Sequence, residues 1–307
     1  MKIFIVGGSG YIGSHVTTKL IAQGASVTAL SRSSSSDATL RALGASPARG
    51  DIGNVQTLQH AASASDCVVW APAFDPAELP VLEALVATLA VSGGACIYVC
   101  GTAVVAKLTS GEPDDSVFAE DTPFTPPRLL EVRVAAEQTI LSGARRGVRA
   151  MVIRPPLVFG DGGSTQIPAL FDSALRSGAV RYIGRGLNRW SYIHIDDLSD
   201  VIVAALTRGT AGAIYHAVAG EADLRSMAEA AGKAVGVPAA SWSTAEAEAD
   251  SGYGKFFTRI VLGSSSRTTS KLTERALGWA PKRVDLLEDI QHGSYRSRFI
   301  SQFRNPS

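Results

Sequence analysis

A glycine-rich segment near the amino terminus has the residue types and spacing of a phosphate-binding turn. It reads Gly7-Gly8-Ser9-Gly10-Tyr11-Ile12-Gly13 and follows an apolar run, with a helical pattern after it. Glycines at this spacing permit a tight turn, let the backbone approach a pyrophosphate, and let the helix pack closely on the strand. Free N–H groups at the helix start would bind the phosphates. We therefore predict a dinucleotide site that includes Gly7, Gly10, Tyr11, Ile12 and Gly13; the alternative is a turn that binds no ligand.

The segment after the second predicted strand indicates which dinucleotide is bound. A site for NAD usually has a carboxylate here for the ribose 2′-hydroxyl, whereas this chain has Ser31, Arg32 and Ser33. A guanidinium pairs with a phosphate through two parallel hydrogen bonds. The sequence therefore predicts NADP(H), with Ser31, Arg32 and Ser33 around the 2′-phosphate. The alternative is a solvated serine loop with an incidental arginine.

Four residues after the third and fourth predicted strands are further cofactor candidates. Asp51 and Ile52 follow the third strand, and Ala71 and Pro72 end the fourth. The Asp51 carboxylate can meet the adenine amino group, although aspartate after glycine is also ordinary turn chemistry.

Histidine and tyrosine in one short apolar run are candidates for proton transfer. Histidine titrates near neutral pH, so His194 can serve as an acid; the alternative is a hydrogen-bonded structural histidine. Tyr192 lies two positions earlier, on the same face of a strand. No histidine pair has metal-ligand spacing, and neither a Gly-x-Ser-x-Gly elbow nor a Gly-Lys-Ser/Thr phosphate loop occurs. We predict no metal site.

The elements that would position these residues alternate between short β-branched runs and longer helical patterns. This alternation predicts an α/β fold with a doubly wound parallel sheet of the Rossmann type and a smaller C-terminal substrate-binding lobe. We expect the Rossmann domain over residues 1–154, completed by 193–217, and the lobe over 155–192 and 218–307. The predicted strands are Lys2 to Val6, Ser26 to Leu30, Ser46 to Gly50, Cys67 to Ala71, Cys96 to Cys100 and Ala150 to Ile153. The predicted helices are Gly13 to Gln23, Leu79 to Ala90 and Glu131 to Gly143.

Two local patterns refine this plan. Asp75-Pro76-Ala77-Glu78 has the order of a helix N-cap with a capping box. Ile193 to Ile195, Asp197 to Leu206 and Ala213 to Ala217 are predicted as a strand, helix and strand that return to the sheet.

Composition limits the class of protein. The 307 residues include 29 basic and 28 acidic side chains, which is not the charge balance of a dedicated nucleic-acid binder. Three cysteines without disulfide or zinc spacing indicate a reducing, cytoplasmic setting. No secretory signal or membrane span is predicted. We expect a monomer or homodimer that binds a small molecule.

Several motifs resemble the extended short-chain dehydrogenase/reductase superfamily, which contains sugar-nucleotide epimerases and dehydratases. They are the glycine segment, Ile97-Tyr98-Val99-Cys100-Gly101-Thr102, Ile153-Arg154-Pro155-Pro156-Leu157-Val158-Phe159-Gly160, and Arg189-Trp190-Ser191-Tyr192-Ile193-His194. The resemblance implies that Thr102 positions the substrate oxygen. It also implies that Pro155, Pro156, Leu157 and Val158 pass the nicotinamide carboxamide.

The resemblance fails at the family's Tyr-x-x-x-Lys. Alignment on Ala136 places that motif at Leu129 and Arg133, and no tyrosine of the chain has lysine four residues later. Arg133 is permanently charged, so it can bind a ribose hydroxyl or a substrate anion but is not a ready base. It also has the i,i+4 spacing for an ion pair with Glu137.

The sequence allows two interpretations for each of two other arginines. Arg154 is either a cofactor-loop residue or a strand-end arginine that satisfies carbonyls. Arg189 and Trp190 form either a wall for a planar or anionic substrate or a solvated pair.

The sequence thus predicts an NADPH-dependent oxidoreductase that reduces a small carbonyl or a conjugated double bond. The catalytic candidates are Thr102, Tyr192, His194 and Arg133, with the proton coming from Tyr192, His194 or water. The alternatives are a non-redox isomerase or cyclase on the same fold and a non-catalytic NADP-binding sensor.

Overall fold

The computed structural model describes residues 1–250 and 252–304. The strands are β1 (Lys2–Val6), β2 (Ser26–Ser31), β3 (Ser46–Arg49), β4 (Cys67–Trp70), β5 (Ala95–Val99), β6 (Lys107–Leu108), β7 (Arg149–Arg154), β8 (Leu157–Phe159), β9 (Val180–Ile183), β10 (Arg189–His194), β11 (Ile214–His216), β12 (Gly220–Asp223), β13 (Ala239–Trp242) and β14 (Ser264–Ser265). The helices are α1 (Tyr11–Ala22), α2 (Ser34–Ala42), α3 (Val55–Ser63), α4 (Leu79–Ser92), α5 (Glu131–Ser142), α6 (Gln166–Ser177), α7 (Ile195–Arg208), α8 (Leu224–Val235), α9 (Thr244–Ala249), α10 (Gly254–Phe256), α11 (Lys271–Leu277), α12 (Leu286–Gln291) and α13 (Ser294–Arg304). Short 3₁₀ segments span Pro76–Glu78, Thr102–Val105, Arg128–Leu130 and Gly143–Arg146, and Phe257–Leu262 is a π-helix.

Seven parallel strands form one sheet, which we call the main sheet, in the order β11-β7-β5-β4-β1-β2-β3. Its inner strands β1, β4, β5 and β7 are buried on both faces because helices cover both sides. In β1, Ile3 and Ile5 face a core shared with α1 and α7, whereas Phe4 and Val6 face a core shared with α3, α4 and α5. The predicted doubly wound α/β fold is confirmed.

The strand order reverses beside β1. The chain runs outward from β1 to β3, then returns past β1 to place β4 on its other side. Adjacent loops leave in opposite directions at such a switch point, which opens a crevice at the carboxyl ends of the strands. The glycine segment between β1 and α1 lies at this crevice.

The C-terminal lobe has its own core and sheets. β8, β10 and β12 form one sheet, and β9 pairs with β13. The core of the lobe includes Phe171, Trp190, Leu224, Leu262 and Tyr295.

One predicted strand belongs to this lobe and not to the main sheet. The strand expected at Ile193 to Ile195 is part of β10, which pairs with β8 and β12. Pro155 and Pro156 follow β7 directly and have no N–H to continue its ladder, so β8 starts a separate pairing with β10. Of the predicted returning segments, only β11 rejoins the main sheet, beside β7.

The predicted capping box before α4 is also wrong. Asp75 does cap a helix, the 3₁₀ segment Pro76–Glu78, by accepting a hydrogen bond from the N–H of Ala77 at 2.9 Å. Glu78 is buried instead, where it accepts from Nε1 of Trp70 at 2.9 Å and from the hydroxyl of Tyr98 at 2.5 Å. A carboxylate with two buried donors gains more there than at an exposed helix start.

The helices of both domains are short. The longest ones, α4 and α7, have 14 residues each. Within residues 1–250 and 252–304, no helix has the length and apolar character needed to cross a membrane.

Candidate functional site

A groove of about 370 Å³ lies at the crevice beside β1. We call it the glycine-loop groove. Its lining comes from the ends of β1, β2 and β4 and from the loops that follow: Val6, Gly7, Ser9, Gly10, Leu30, Arg32, Ser36, Ile52, Ala71, Pro72, Ala73, Phe74 and Asp75. Six predicted cofactor residues therefore lie together: Gly7, Gly10, Arg32, Ile52, Ala71 and Pro72.

Gly7, Gly10 and Gly13 differ in how strictly the structure requires glycine at each position. Gly7 has φ +88°, and a Cβ there would lie 2.6 Å from the carbonyl oxygen of Ala71. A Cβ at Gly13, which is buried, would overlap the carbonyl oxygen of Gly7. Gly10 is exposed at the start of α1, and its nearest such contact is 3.3 Å. No side chain caps the α1 N-terminus, so its N–H groups are available to an anion.

Arg32 lies at the tip of β2, exposed on the rim of the groove. Throughout the described ranges, no carboxylate forms an ion pair with it. The acid nearby in sequence, Asp37, is engaged by Arg49 at 2.5 Å. The groove rim at β2 therefore presents a cation whose charge is not neutralised by the protein.

The other residues predicted to bind the adenosine side, Ser31, Ser33 and Asp51, are not among the residues that line the groove. Ser33 caps α2 by accepting from the N–H of Ser36 at 3.2 Å, and the hydroxyl of Ser31 donates to the carbonyl of Ser33 at 3.1 Å. The carboxylate of Asp51 accepts from the N–H of Gly53 at 2.9 Å, which is the turn arrangement given above as the alternative. These side chains shape the loops on which Arg32 and Ile52 lie.

A second cavity, of about 250 Å³, begins where α1 starts. We call it the Thr102 cavity. It is lined by Tyr11, Ile12, Cys100, Gly101, Thr102, Ala103, Pro155, Pro156, Val158, Ser164, Thr165, Gln166, Trp190, Phe256, Ile260 and Val261. Gly10 and Tyr11 are consecutive but line different cavities, so the two cavities are neighbours along the start of α1. Predicted residues Tyr11, Ile12, Thr102, Pro155, Pro156 and Val158 meet here, while Leu157 is buried in the core of the lobe.

Thr102 is held by a residue from the C-terminal lobe. Its side chain is buried, and its Oγ1 lies 3.0 Å from Oγ of Ser266. The Ser266 hydroxyl can also donate to the Thr102 carbonyl at 2.9 Å. When Ser266 donates to Thr102, the hydroxyl proton of Thr102 is left for a group in the cavity.

Tyr192 and His194 are not among the lining residues of the Thr102 cavity. They do share a strand face, but both rings pack edge-on against Phe159. The Tyr192 hydroxyl donates to the carbonyl of Val284 at 2.8 Å. His194 caps α7, with Nδ1 accepting from the N–H of Asp196 at 3.1 Å. Burial lowers the pKa of His194 and raises that of Tyr192, so the neutral form of each side chain is favoured.

Arg133 is not among the residues that line either cavity. Its guanidinium donates to the carbonyl oxygen of Cys100, at the end of β5, and stacks on the ring of Phe74 with 4.8 Å to the ring centroid. The proposed i,i+4 pair with Glu137 does not form, because that carboxylate binds Arg154. Arg133 thus fixes the strand end from which the Thr102 loop departs. Leu129, at the family's tyrosine position, is 50% exposed.

Arg154 and Arg189 both lie on strands, and each of them pairs with a glutamate. Arg154 is buried and makes two hydrogen bonds to Glu137, at 2.8 and 2.5 Å, so it does not satisfy strand-end carbonyls as the alternative proposed. Arg189 and Trp190 are consecutive in β10 and so point to opposite faces. Trp190 lines the cavity, whereas Arg189 pairs with Glu221 at 3.2 Å. They do not form a joint wall.

A glycine-rich loop, residues 160–164, contributes Ser164 to the lining of the Thr102 cavity. Gly160, Asp161, Gly162 and Ser164 all have positive φ, from +51° to +112°. The Tyr11 hydroxyl donates to the carbonyl of Gly160 at 2.8 Å. The C-terminal helix α13 also contacts this loop, because the hydroxyls of Ser294 and Tyr295 accept from the N–H groups of Gly162 and Gly160 at 2.8 and 3.0 Å. The loop backbone is therefore fixed from both domains.

Sequence reasoning did not identify six of the residues that line the Thr102 cavity, nor one residue that positions Thr102. The missed residues are Ser164, Thr165, Gln166, Phe256, Ile260, Val261 and the positioning residue Ser266. Ile260 and Val261 lie on the π-helix, a form that occurs often at functional sites. Ser266 lies in the run Gly263-Ser264-Ser265-Ser266, whose three serines are buried, and no pattern in the sequence marks that burial. Where the chain is described, no cluster of His, Cys, Asp or Glu suits a metal ion.

Comparison with known proteins identifies the family. The family model described as "NAD dependent epimerase/dehydratase family" matches residues 3–219. The chain belongs to this family, and the resemblance to the extended short-chain dehydrogenase/reductase superfamily is confirmed.

Relatives and solved structures extend the comparison over the whole chain. An uncharacterised protein of Schizosaccharomyces pombe is 33% identical over 96% of this chain and 100% of its own length. The 4-hydroxy-2-methyl-3-oxo-4-farnesyl-3,4-dihydroquinoline-1-oxide ketoreductase of Stigmatella aurantiaca is 29% identical, covering 74% of this chain and 71% of that enzyme. The dTDP-glucose 4,6-dehydratase DesIV of Streptomyces venezuelae, solved with NAD and TYD bound, aligns with a TM-score of 0.76 at 19% identity over 99% of this chain and 97% of that one.

Proposed function

We propose that this protein is an NADPH-dependent oxidoreductase that reduces a small organic carbonyl or a conjugated double bond. The observation that carries the proposal is the pair of neighbouring cavities at the switch point. The glycine-loop groove has the features of a dinucleotide site, and the Thr102 cavity next to it offers a hydroxyl to an acceptor oxygen. The ketoreductase relative supports a reduction, and the neighbour that contains NAD supports a nicotinamide dinucleotide in the groove.

The residues of the groove fit NADP(H). The open N-terminus of α1 would hold the pyrophosphate, and Arg32 would bind the 2′-phosphate. When bound, this cofactor would supply the hydride for the acceptor carbon, and the acceptor oxygen would take up one proton. Thr102 would donate a hydrogen bond to that oxygen, and Ser266 would hold Thr102 in position. Because Tyr192 and His194 contact other parts of the chain, we propose water as the proton source.

The residues that line the Thr102 cavity argue against the isomerase alternative. An isomerase that moves a proton needs a base near its substrate. The described lining of the Thr102 cavity has no Asp, Glu, His or Lys, and the Tyr11 hydroxyl is bonded to the carbonyl of Gly160. Burial raises the pKa of the Cys100 thiol well above its ordinary value, so the thiolate is disfavoured as a base. Hydride transfer from a bound cofactor needs no base in the cavity lining, so these residues favour a reductase over an isomerase.

The Arg32→Glu variant is expected to lose most of its affinity for NADPH. Removing a charge-assisted contact costs about 1.5–3 kcal/mol, which is roughly a 10- to 150-fold loss. NADH, which has no 2′-phosphate, should bind the variant at least as well as the wild type. Both cofactors would be titrated by calorimetry. Arg145→Glu is the matched control, because Arg145 is exposed and near the opposite end of the main sheet. Equal wild-type affinities for NADPH and NADH would contradict the 2′-phosphate assignment.

The Thr102→Val variant is expected to lower kcat by about 100-fold, the usual effect of removing one donor to a developing oxyanion. Valine has nearly the same shape, so folding and cofactor binding should be retained, and Thr102→Ser should keep most activity. Tyr192→Phe and His194→Gln should change kcat only a few-fold, and the pH profile should lack a limb near neutrality. The measurement is substrate-dependent loss of NADPH absorbance across pH. A 100-fold loss in His194→Gln would restore that residue as the proton donor, and a complete absence of NADPH oxidation with any acceptor would favour the sensor.

A further inference from the structure

The Thr102 cavity has an apolar and uncharged wall. Trp190, Phe256, Ile260 and Val261 form one side of it, and Pro155 and Pro156 form another. Its polar lining groups are neutral hydroxyls, a thiol and the amide of Gln166. A charged substrate group would lose its water here without gaining an opposite charge, which costs several kcal/mol.

The arginines beside wall residues, in sequence or in space, are paired elsewhere; Arg259, which directly precedes Ile260, binds Glu248 at 2.5 Å. Arg189 faces away from the cavity and pairs with Glu221 at 3.2 Å. Arg154 is bound to Glu137, and Arg133 to the carbonyl of Cys100. Both lie largely buried, and either one could turn toward a substrate anion only by giving up its present hydrogen bonds. A diphosphate or carboxylate would therefore meet no available guanidinium in this lining.

The polar groups suffice for a single carbonyl. Thr102 can donate one hydrogen bond, and the amide of Gln166 is already directed to the carbonyl of Val261 at 3.4 Å. The volume, about 250 Å³, is below the roughly 300–1,000 Å³ of typical drug-sized ligand pockets. Phe256, on the rim, is 46% exposed, so an apolar substituent longer than the cavity can extend across it.

We propose that the Thr102 cavity selects an uncharged, mainly apolar carbonyl compound and discriminates against carboxylates and nucleotide-linked substrates. This inference rests on the proposed function for the hydride step, but its binding selectivity can be measured separately. In the step itself, the carbonyl carbon gains the hydride, the C=O double bond becomes a C–O single bond, and the oxygen gains a proton.

The test compares two ligands of nearly the same shape, 4-methylacetophenone and 4-acetylbenzoate, with UDP-glucose as the nucleotide probe. Binding to the NADP-loaded protein is measured by calorimetry, and NADPH oxidation is measured in parallel. We expect the ketone to bind at least 10-fold more tightly than either anion. Tighter binding of 4-acetylbenzoate or UDP-glucose, or no binding of the ketone, would overturn the proposal. Ketone binding without NADPH oxidation would contradict the proposed reaction but support the preference of the cavity for uncharged ligands.

A charge introduced into the wall should reverse this selectivity. In Val261→Lys we expect ketone affinity to fall at least 10-fold and 4-acetylbenzoate affinity to rise. Phe256→Lys, at the exposed rim, is the second variant and should give the same direction of change if Val261→Lys does not fold. Val91→Lys is the matched control, since Val91 is 91% exposed on α4 and outside the lining. Unchanged selectivity in a folded wall variant would show that another surface binds the ligand.

Discussion

Replacing Gly10 by valine is expected to abolish cofactor binding and leave the protein folded. Gly10 has φ −79° and ψ 176°, an extended conformation that valine adopts readily, and it is exposed in the groove. The branched side chain would project over the N–H groups at the start of α1 and keep phosphates away from them. Two lost charge-assisted bonds, at about 1.5–3 kcal/mol each, correspond to a loss of roughly 100-fold or more. Calorimetric titration with NADPH and NADH measures the loss, and thermal unfolding checks the fold.

Gly13→Ala is the informative comparison for Gly10→Val. The glycine spacing alone does not distinguish Gly10 from Gly13, but the two glycines have different surroundings in the structure. A Cβ at Gly13 would overlap the Gly7 carbonyl, so even alanine should lower the free energy of unfolding by about 1–3 kcal/mol. Wild-type affinity in a folded Gly10→Val variant would remove the assignment of this groove to a dinucleotide.

Arg154→Met is expected to lower the free energy of unfolding by about 3–5 kcal/mol, because it leaves the Glu137 carboxylate buried without its partner. The side chains of Arg154 and Glu137 are 2% and 0% exposed, so water cannot take over the lost bonds. Urea unfolding at neutral pH measures the effect.

The double variant Arg154→Met with Glu137→Leu separates the cost of an unpaired charge from the value of the pair. Replacing both partners by apolar residues of similar size is often neutral or stabilising, so the double variant should recover most of the loss. Arg189→Met is the surface control, since the Arg189 side chain is 49% exposed and its pair with Glu221 should contribute less than about 1 kcal/mol. If Arg154→Met lowers the free energy of unfolding no more than Arg189→Met does, Arg154 does not compensate a buried charge on Glu137.

The parallel sheet and the crevice beside β1 were predictable because their determinants are local. β-Branched runs such as Ile3-Phe4-Ile5-Val6, alternating with helical patterns, require a sheet covered on both faces. The glycine spacing reports on one strand, one turn and one helix, which are consecutive in the chain. Here the order of residues along the chain is also their order in space, so periodicity and turn chemistry suffice.

The surroundings of Thr102 were decided by packing between segments far apart in sequence. Ser266 meets Thr102 across 164 positions, and no periodicity within either segment indicates this contact. His194 and Tyr192 have the right chemistry, yet Phe159 and the carbonyl of Val284 occupy their surroundings because β10 pairs with β8 in the second sheet. Arg133 has the spacing for an ion pair on its own helix, but Glu137 binds Arg154 from β7. The sequence by itself determined which groups exist and which local turns they make; the tertiary structure decided which groups face the cavity, since each buried polar group bonds to the partner that long-range packing places beside it.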